Sequence, residues 1–305
     1  MINFSDSVLF LAPLAGFSDP PLREVAKRFG CDVTVSEMIS ANALVFENEK
    51  TIKMCQHAPS ETPFIVQIAG GDAQIIKKAV EILNKFDGID GIDLNCGCPV
   101  PKVVKQGAGS ALLTDISRLQ KIIETIKTNS NKKFTSVKIR LGFNEKNAHE
   151  IAPFIERAGA DYICVHGRTR AGGYHAKVDY EAIASVKSSI KIPLIANGDI
   201  NSQNFTQVLK TTNANGAMIG RASIGHPWVF AEIKTGKSAD EALKKRVILY
   251  HFERMVCHYG AHGIAIFRKH LHEYSKGKAD AANFRQEINQ ISDEAQMRNL
   301  IENFF

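Results

Sequence analysis

The chain has 305 residues, 44% of them hydrophobic, with 38 basic against 32 acidic side chains and a formal net charge of +6. Such a chain can bury a full core, which excludes a disordered or fibrous protein, and its mild positive charge permits a polyanionic partner without demanding one. No apolar run approaches the roughly 20 residues that span a bilayer, so no membrane association is expected. Six scattered cysteines, Cys31, Cys55, Cys96, Cys98, Cys164 and Cys257, do not read as a disulfide framework. A reducing cytoplasm fits them. Residues 8–12 are apolar, but Asp6 rather than a cationic stretch precedes them, so no signal peptide is expected.

Short β-rich runs ending in small or polar residues recur at 9–12, 33–36, 64–68, 92–95, 136–140, 162–166, 193–197 and 216–219. Helical periodicity fills most of the gaps. Ser18-Asp19-Pro20-Pro21 predicts a helix start with proline in the first turn, and Gly30 predicts its stop. Asp72 and Asp115 open two further helices and Gly159 closes another. Eight strands, nearly all followed by helices, predict an α/β fold, a (β/α)8 TIM barrel. A doubly wound open sheet is the alternative, disfavoured because no GxGxxG follows the first strand. Beyond Thr235-Gly236-Lys237-Ser238 the alternation ends, and helical periods at 239–259, 264–275, 282–291 and 294–304 predict a small C-terminal bundle. The expected division is a barrel over 1–236 and helices over 237–305.

In such a barrel the reactive groups lie at the C-terminal strand ends. Those ends supply Pro13-Leu14-Ala15-Gly16, Glu37, Gln67, Asn95 with Cys98, Lys138 with Arg140, His166 with Arg168, Asn197-Gly198-Asp199 and Gly220-Arg221, a polar ring. Singly, Gln67 or Asn197 can be satisfying loop backbone and Lys138 can be paired with a buried carboxylate; at successive ends they predict a ligand site. The glycines after the last two strands, with Arg221, predict a phosphate held by backbone N–H groups and a fixed charge. The strand and loop from Ile92 to Ser110 end in an amide, two thiols, a Gly and a Pro, followed by Lys102 and Lys105, an odd mixture for a core. The bland reading of a thiol there is a small buried hydrophobe. A Cys-x-Cys zinc pair lacks further ligands at the right spacing, so no metal is expected.

Ala12-Pro13-Leu14-Ala15-Gly16-Phe17-Ser18-Asp19, Val66-Gln67-Ile68-Ala69-Gly70, Asn95-Cys96-Gly97-Cys98-Pro99, Val137-Lys138-Ile139-Arg140, His166-Gly167-Arg168-Thr169-Arg170 and Asn197-Gly198-Asp199-Ile200 resemble the tRNA-dihydrouridine synthases, particularly the bacterial B-type branch. The resemblance runs from about residue 9 into the tail. It implies FMN at the barrel mouth, reduced by NADPH or NADH. By that likeness Pro13, Leu14 and Ala15 line the isoalloxazine, Gln67 bonds its polar edge, and Lys138 sits beside N1/O2. His166, Asn197, Gly198, Asp199, Gly220 and Arg221 hold the ribityl chain and phosphate. The implied reaction reduces the C5–C6 bond of a D-loop uridine, with Cys98 matching the family's catalytic cysteine and Cys96 left as packing.

An extruded base requires a grip on the surrounding RNA. The candidates for substrate and RNA contact are Asn95, Lys102, Lys105, Arg168 and Arg170, with Arg268, Lys269 and His270 in a stretch that resembles the family's ARKH motif, with Phe267 where Ala is usual. The bland reading of that stretch is a solvated helix face. The competing functions are an FMN-dependent barrel dehydrogenase of a free pyrimidine, such as a dihydroorotate or dihydropyrimidine dehydrogenase, which gives the helical tail no evident use, and a non-catalytic RNA-binding module, which predicts no flavin. A monomer is expected.

Overall fold

A computed structural model describes residues 2–305. Nine strands form: β1 (Val8–Leu11), β2 (Val33–Val35), β3 (Ile39–Ser40), β4 (Phe64–Ala69), β5 (Gly91–Cys96), β6 (Phe134–Arg140), β7 (Tyr162–His166), β8 (Leu194–Asn197) and β9 (Gly216–Ile219). All pair in parallel, and β2 pairs with both β1 and β4 while β9 returns to β1. Eight strands therefore close into a barrel. The two-residue β3 lies outside the ring, pairing Ile39 with Ile68 of β4. It was not anticipated, because two residues give periodicity nothing to repeat.

Helices clothe the ring: α1 (Pro20–Arg28), α2 (Ala41–Val45), α3 (Glu49–Met54), α4 (Ala73–Leu83), α5 (Pro101–Lys105), α6 (Ile116–Asn129), α7 (Ala148–Arg157), α8 (Tyr180–Ser188), α9 (Phe205–Thr212) and α10 (Val229–Thr235). The expected caps are present. Asp19 accepts from Leu22 N at 3.2 Å, Asp72 from Gln74 N and Ile75 N at 2.9 Å each, and Asp115 from Arg118 N at 3.0 Å. Each satisfies N–H groups that a helix start leaves free.

Strand parity decides what the barrel contains, since alternate side chains face opposite sides. Leu9, Leu11, Val66, Ile68, Leu94, Val137, Ile139 and Val165 join the helices in one core. The other parity fills the interior with Val8, Phe10, Val33, Val35, Ile65, Tyr162, Cys164, Ile195 and Met218. Rings of Phe4, Phe10 and Phe134 lie 5.3, 5.5 and 6.4 Å from that of Tyr162 and plug the barrel. Continuing the interior parity towards the C-terminal ends gives Gln67, Asp93, Asn95, Lys138, Arg140, His166 and Asn197.

Four further helices follow: α11 (Glu241–Tyr259), α12 (His262–Tyr274), α13 (Ala281–Gln290) and α14 (Glu294–Phe304). They share a second core, including Phe252, Met255, Phe267, Leu271, Phe284 and Ile288, to which the barrel contributes Val25 and Trp228. No helix among the described residues is long and apolar enough to cross a membrane.

A buried ion pair ties α1 to the segment before β4: Arg23 Nε lies 2.6 Å from Glu61 Oε1, with side chains 1% and 0% exposed. Arg23 also sits 4.6 Å over the Phe64 ring. Removing one member leaves the other charge buried alone, so Glu61→Ala is expected to cost about 3–5 kcal/mol, read from urea unfolding, while an exposed pair such as Lys77–Glu81 should contribute under about 1 kcal/mol.

Candidate active site

Two cavities, of about 480 and 610 Å³, adjoin at the C-terminal mouth and share Pro13, Leu14, Lys138, His166, Tyr174 and Arg221. The larger takes in Ala15, Gln67, Asn95 and Cys98; the smaller takes in Asn197, Gly198, Asp199 and Gly220. All twelve residues expected to hold a cofactor or deliver a proton thus line one continuous recess. The two cavities separate them as a ring-and-thiol end and a polar end.

The thiol loop is held by a relay of amides. Asn95 Oδ1 accepts from Gly97 N at 3.2 Å and Cys98 N at 2.9 Å. Its Nδ2 donates to Gln67 Oε1 at 2.8 Å, and Gln67 Nε2 donates to Asp93 Oδ2 at 2.7 Å. Ser136 Oγ donates to the second Asp93 oxygen, also at 2.7 Å. Burial pushes the Asp93 carboxyl up to about 6 against the pull of these donors and of Lys138. On the far side Ser110 N donates to Cys98 O at 3.0 Å, and Arg140 Nε to Gly97 O at 2.8 Å. Gly109, at φ +61, brings its backbone so close that a Cβ would stand 2.8 Å from Cys98 O. Cys98 is half-buried and faces the larger cavity, whereas Cys96 is fully buried and burial pushes its thiol up. The two thiols therefore differ in burial, with Cys98 the one on the cavity wall.

Lys138 Nζ donates to Asn197 Oδ1 at 3.1 Å, and Asn197 Nδ2 to Met218 O at 2.8 Å. Desolvation pulls the Lys138 amine below its usual range. His166 is pushed down to about 2 by burial and by the cations of Lys138, Arg140 and Arg168, so its ring is neutral. At the polar end Arg168 Nη2 and Arg221 Nη2 each lie 2.5 Å from one oxygen of Asp199. The Arg168 hydrogen bond holds the Asp199 carboxyl below the usual carboxylate range. Two guanidiniums on one carboxylate leave a net positive charge. Gly198 takes φ +123, and a Cβ there would come 3.0 Å from His166 Cδ2.

The RNA candidates divide. Lys102 and Lys105 are exposed on α5, and Arg170 is half-buried with its guanidinium 4.8 Å over Phe143. Arg168 is corrected: 5% exposed, with Nε on Ala176 O and its fork on Asp199, it braces the polar end and does not reach out to RNA. Arg268 turns into the tail, where Nη2 donates to Ile291 O at 2.7 Å. His270 is fully buried, and burial holds its ring well below the usual range, so it is no exposed cation. Of that stretch only Lys269 approaches the recess, 5.4 Å over Phe17. Asn95, expected to touch substrate, spends its oxygen on the thiol loop while still lining the larger cavity. Tyr174, Met38, Glu273 and Lys276 also line that cavity. Tyr174 lies 5.3 Å from the guanidiniums of both Arg140 and Arg221. A loop aromatic and tail residues carry no strand-end pattern that would have marked them.

A family model described as Dihydrouridine synthase (Dus) matches residues 10–305. The chain belongs to the dihydrouridine synthase family. A Helicobacter pylori (strain J99) protein named as a probable tRNA-dihydrouridine synthase is 48% identical over 300 residues, covering 97% of this chain and 92% of that protein. One named tRNA-dihydrouridine synthase B, from Pseudomonas syringae pv. tomato, is 38% identical, covering 97% and 91%. In fold, the chain is similar to the old yellow enzyme from Trypanosoma cruzi, with a TM-score of 0.59 at 9% identity over 82% of this chain and 93% of that one. Membership in the dihydrouridine synthase family makes the protein a flavin-dependent oxidoreductase.

The buried Asp93 has a pH signature. In the unfolded chain an aspartate ionises in the usual carboxylate range, about 3.9, whereas burial pushes Asp93 in the fold up to about 6. Between those values the unfolded state binds fewer protons, so this residue's contribution to stability declines as pH rises through that window. Asp93→Asn removes it. The stability of the parent relative to Asp93→Asn should therefore fall between pH 4.5 and 6.5, read from paired urea titrations; a difference that grows with pH would contradict the assignment.

Proposed function

We propose that this protein is a tRNA-dihydrouridine synthase that uses FMN and a nicotinamide nucleotide, NADPH or NADH, to reduce a D-loop uridine. The observation that carries the reading is the half-buried Cys98 thiol on the same cavity wall as Lys138 and Pro13–Ala15. A flavin mononucleotide suits the donor set. The Arg168–Asp199–Arg221 trio has one positive charge to spare for a phosphate, and among the described residues desolvated Lys138 has only the neutral Asn197 amide within hydrogen-bond reach. A fixed cation there favours the electron-rich ring. When bound, the flavin supplies a hydride to C6 of the uracil.

The chain's own residues do the rest. Cys98 Sγ gives a proton to C5 of the uracil, whose enolate character the hydride creates. The Asn95, Gln67 and Asp93 relay keeps the thiol loop in register with the cavity wall. Pro13, Leu14 and Ala15 would form the apolar floor under the ring, Gln67 would bond its polar edge, and His166, Asn197, Gly198, Asp199, Gly220 and Arg221 would hold the ribityl phosphate. The recess admits a base only after extrusion from the RNA stack. Lys102, Lys105, Arg170 and Lys269 grip the flanking backbone, residues 1–236 serving as the catalytic barrel and 237–305 as the RNA-docking helices of a cytoplasmic monomer.

The direct test is product formation. Incubation with unmodified tRNA, FMN and NADPH should convert one uridine to dihydrouridine, detected by nucleoside mass spectrometry, and no conversion would remove the proposal. Cys98→Ala should retain FMN and its reduction by NADPH while losing about 10²–10⁴-fold in turnover. Full turnover in that variant would remove the thiol from the proton step. Lys102→Ala/Lys105→Ala should weaken tRNA binding and flatten its log–log salt dependence by about 1.5, roughly 0.7–0.9 per phosphate contact. An unchanged slope would take both lysines off the RNA path.

A further inference from the structure

The histidine of the tail motif, buried rather than exposed, joins the tail to the first barrel loop. His270 of α12 meets Phe17 edge-on, ring centroids 5.3 Å apart, and His251 of α11 edge-on at 4.6 Å. Asp19 completes the group. One polar atom from each of Asp19, His251 and His270 lies within 4.8 Å of the others, and all three residues are buried. Tyr274 Oη pairs with His251 Nδ1 at 3.0 Å, and Tyr259 Oη donates to Asp19 Oδ2 at 3.1 Å. Among the described residues, neither ring nitrogen of His270 nor Nε2 of His251 has a hydrogen-bond partner.

Unpaired buried nitrogens are costly unless something joins them. Two imidazoles and a carboxylate make a set that zinc accepts, but the Lys269 ammonium lies in electrostatic range of all three groups and repels a cation there. One ordered water suits better. A buried water takes about two to four polar partners, and these three groups offer both donors and acceptors across a span that two ordinary hydrogen bonds bridge. Both imidazoles are neutral, His251 being pushed down to about 3 by burial, so each ring keeps one donor and one acceptor.

The consequence reaches the reaction site. Phe17 shares the wall of the larger cavity with Cys98, and Glu273 and Lys276 line it from the C-terminal end of α12 and just beyond. Lys269 Nζ rests over Phe17. We propose that His270 is a positioning residue for uridine reduction: hydrogen-bonded with Asp19 and His251 through a shared water, it fixes α12 against the first barrel loop and so sets Phe17 and Lys269 where the extruded base enters. This rests on the tRNA-reductase reading and deepens it. The tail motif then divides its labour, with His270 as an internal pin and Lys269 as the contact to RNA.

The test compares His270→Ala, His270→Gln and Lys269→Ala in the flavin-loaded enzyme. His270→Ala should lower kcat/KM for unmodified tRNA between about tenfold and a hundredfold, the scale of a small misplacement near a reaction centre. Reduction of the bound flavin by NADPH should stay at the parent rate, because none of the residues placed on the flavin lies on α12. His270→Gln, which keeps a donor and an acceptor, should recover most of the loss. The double variant with Lys269→Ala should lose less than the product of the two single losses, since the pin acts partly through Lys269. A merely structural histidine would lower the melting temperature and leave kcat/KM of the folded enzyme unchanged, which overturns the proposal. So would equal slowing of flavin reduction, or one equivalent of zinc in tag-free protein that disappears in His270→Ala. Should His270→Ala fail to fold, His251→Asn carries the same expectations. An inactive parent enzyme would remove the tRNA reading and this proposal with it, whereas an active parent with an indifferent His270→Ala removes this proposal alone.

Discussion

Closure of eight parallel strands forces every second side chain inward, and that constraint organises the rest of the molecule. Inside the barrel the space is first filled by Phe10, Tyr162, Ile65, Cys164, Ile195 and Met218. Where the apolar plug ends, the same parity must present polar groups: Gln67, Asn95, Lys138, His166 and Asn197 face a recess, and Asp93 stays buried. None of these chains stands free. Asp93 holds Gln67, Gln67 holds Asn95, and Asn95 holds the backbone of the thiol loop. Such a relay places the thiol loop through buried amides and a carboxylate, and it keeps its own buried polar atoms paired.

Charge is arranged with similar economy. Lys138, Arg140, Arg168 and Arg221 converge on one mouth, and their mutual repulsion is relieved mainly by Asp199 at one end and by backbone carbonyls at the other. The same field, added to burial, keeps His166 neutral. A site with surplus positive charge and a neutral imidazole suits an anionic ligand with a polar chain, whereas the thiol end of the recess is walled by Pro13, Leu14, Ala15, Phe17 and Met38. The mouth thus has one end that suits a phosphate and one that suits a planar ring, as the proposed flavin requires.

Much of this was legible in the sequence because strand ends are short, fixed points. A run such as Val137-Lys138-Ile139-Arg140 alternates apolar and cationic residues, and only one parity can face the recess. Aspartates at 19, 72 and 115 announced helix starts for the same local reason. The failures share a cause. Arg168 is a candidate RNA contact by its place after a strand, and Arg268 and His270 by the motif they resemble, yet whether a cation reaches solvent depends on partners distant in the chain: Asp199 for Arg168, the Ile291 carbonyl for Arg268, and Asp19 with His251 around His270. Tyr174, Glu273 and Lys276 were missed because they reach the cavity from a loop and from the tail, where no period marks an inward face.

The central claim is that electrons leave this site for a uridine held in RNA. Its most direct test is the anaerobic flavin spectrum of the parent enzyme, reduced with NADPH and then mixed with unmodified tRNA or with free uridine or uracil. The account predicts that the oxidised flavin bands return with tRNA and stay bleached with the free pyrimidines. Bands that return with a free pyrimidine and ignore tRNA would contradict it.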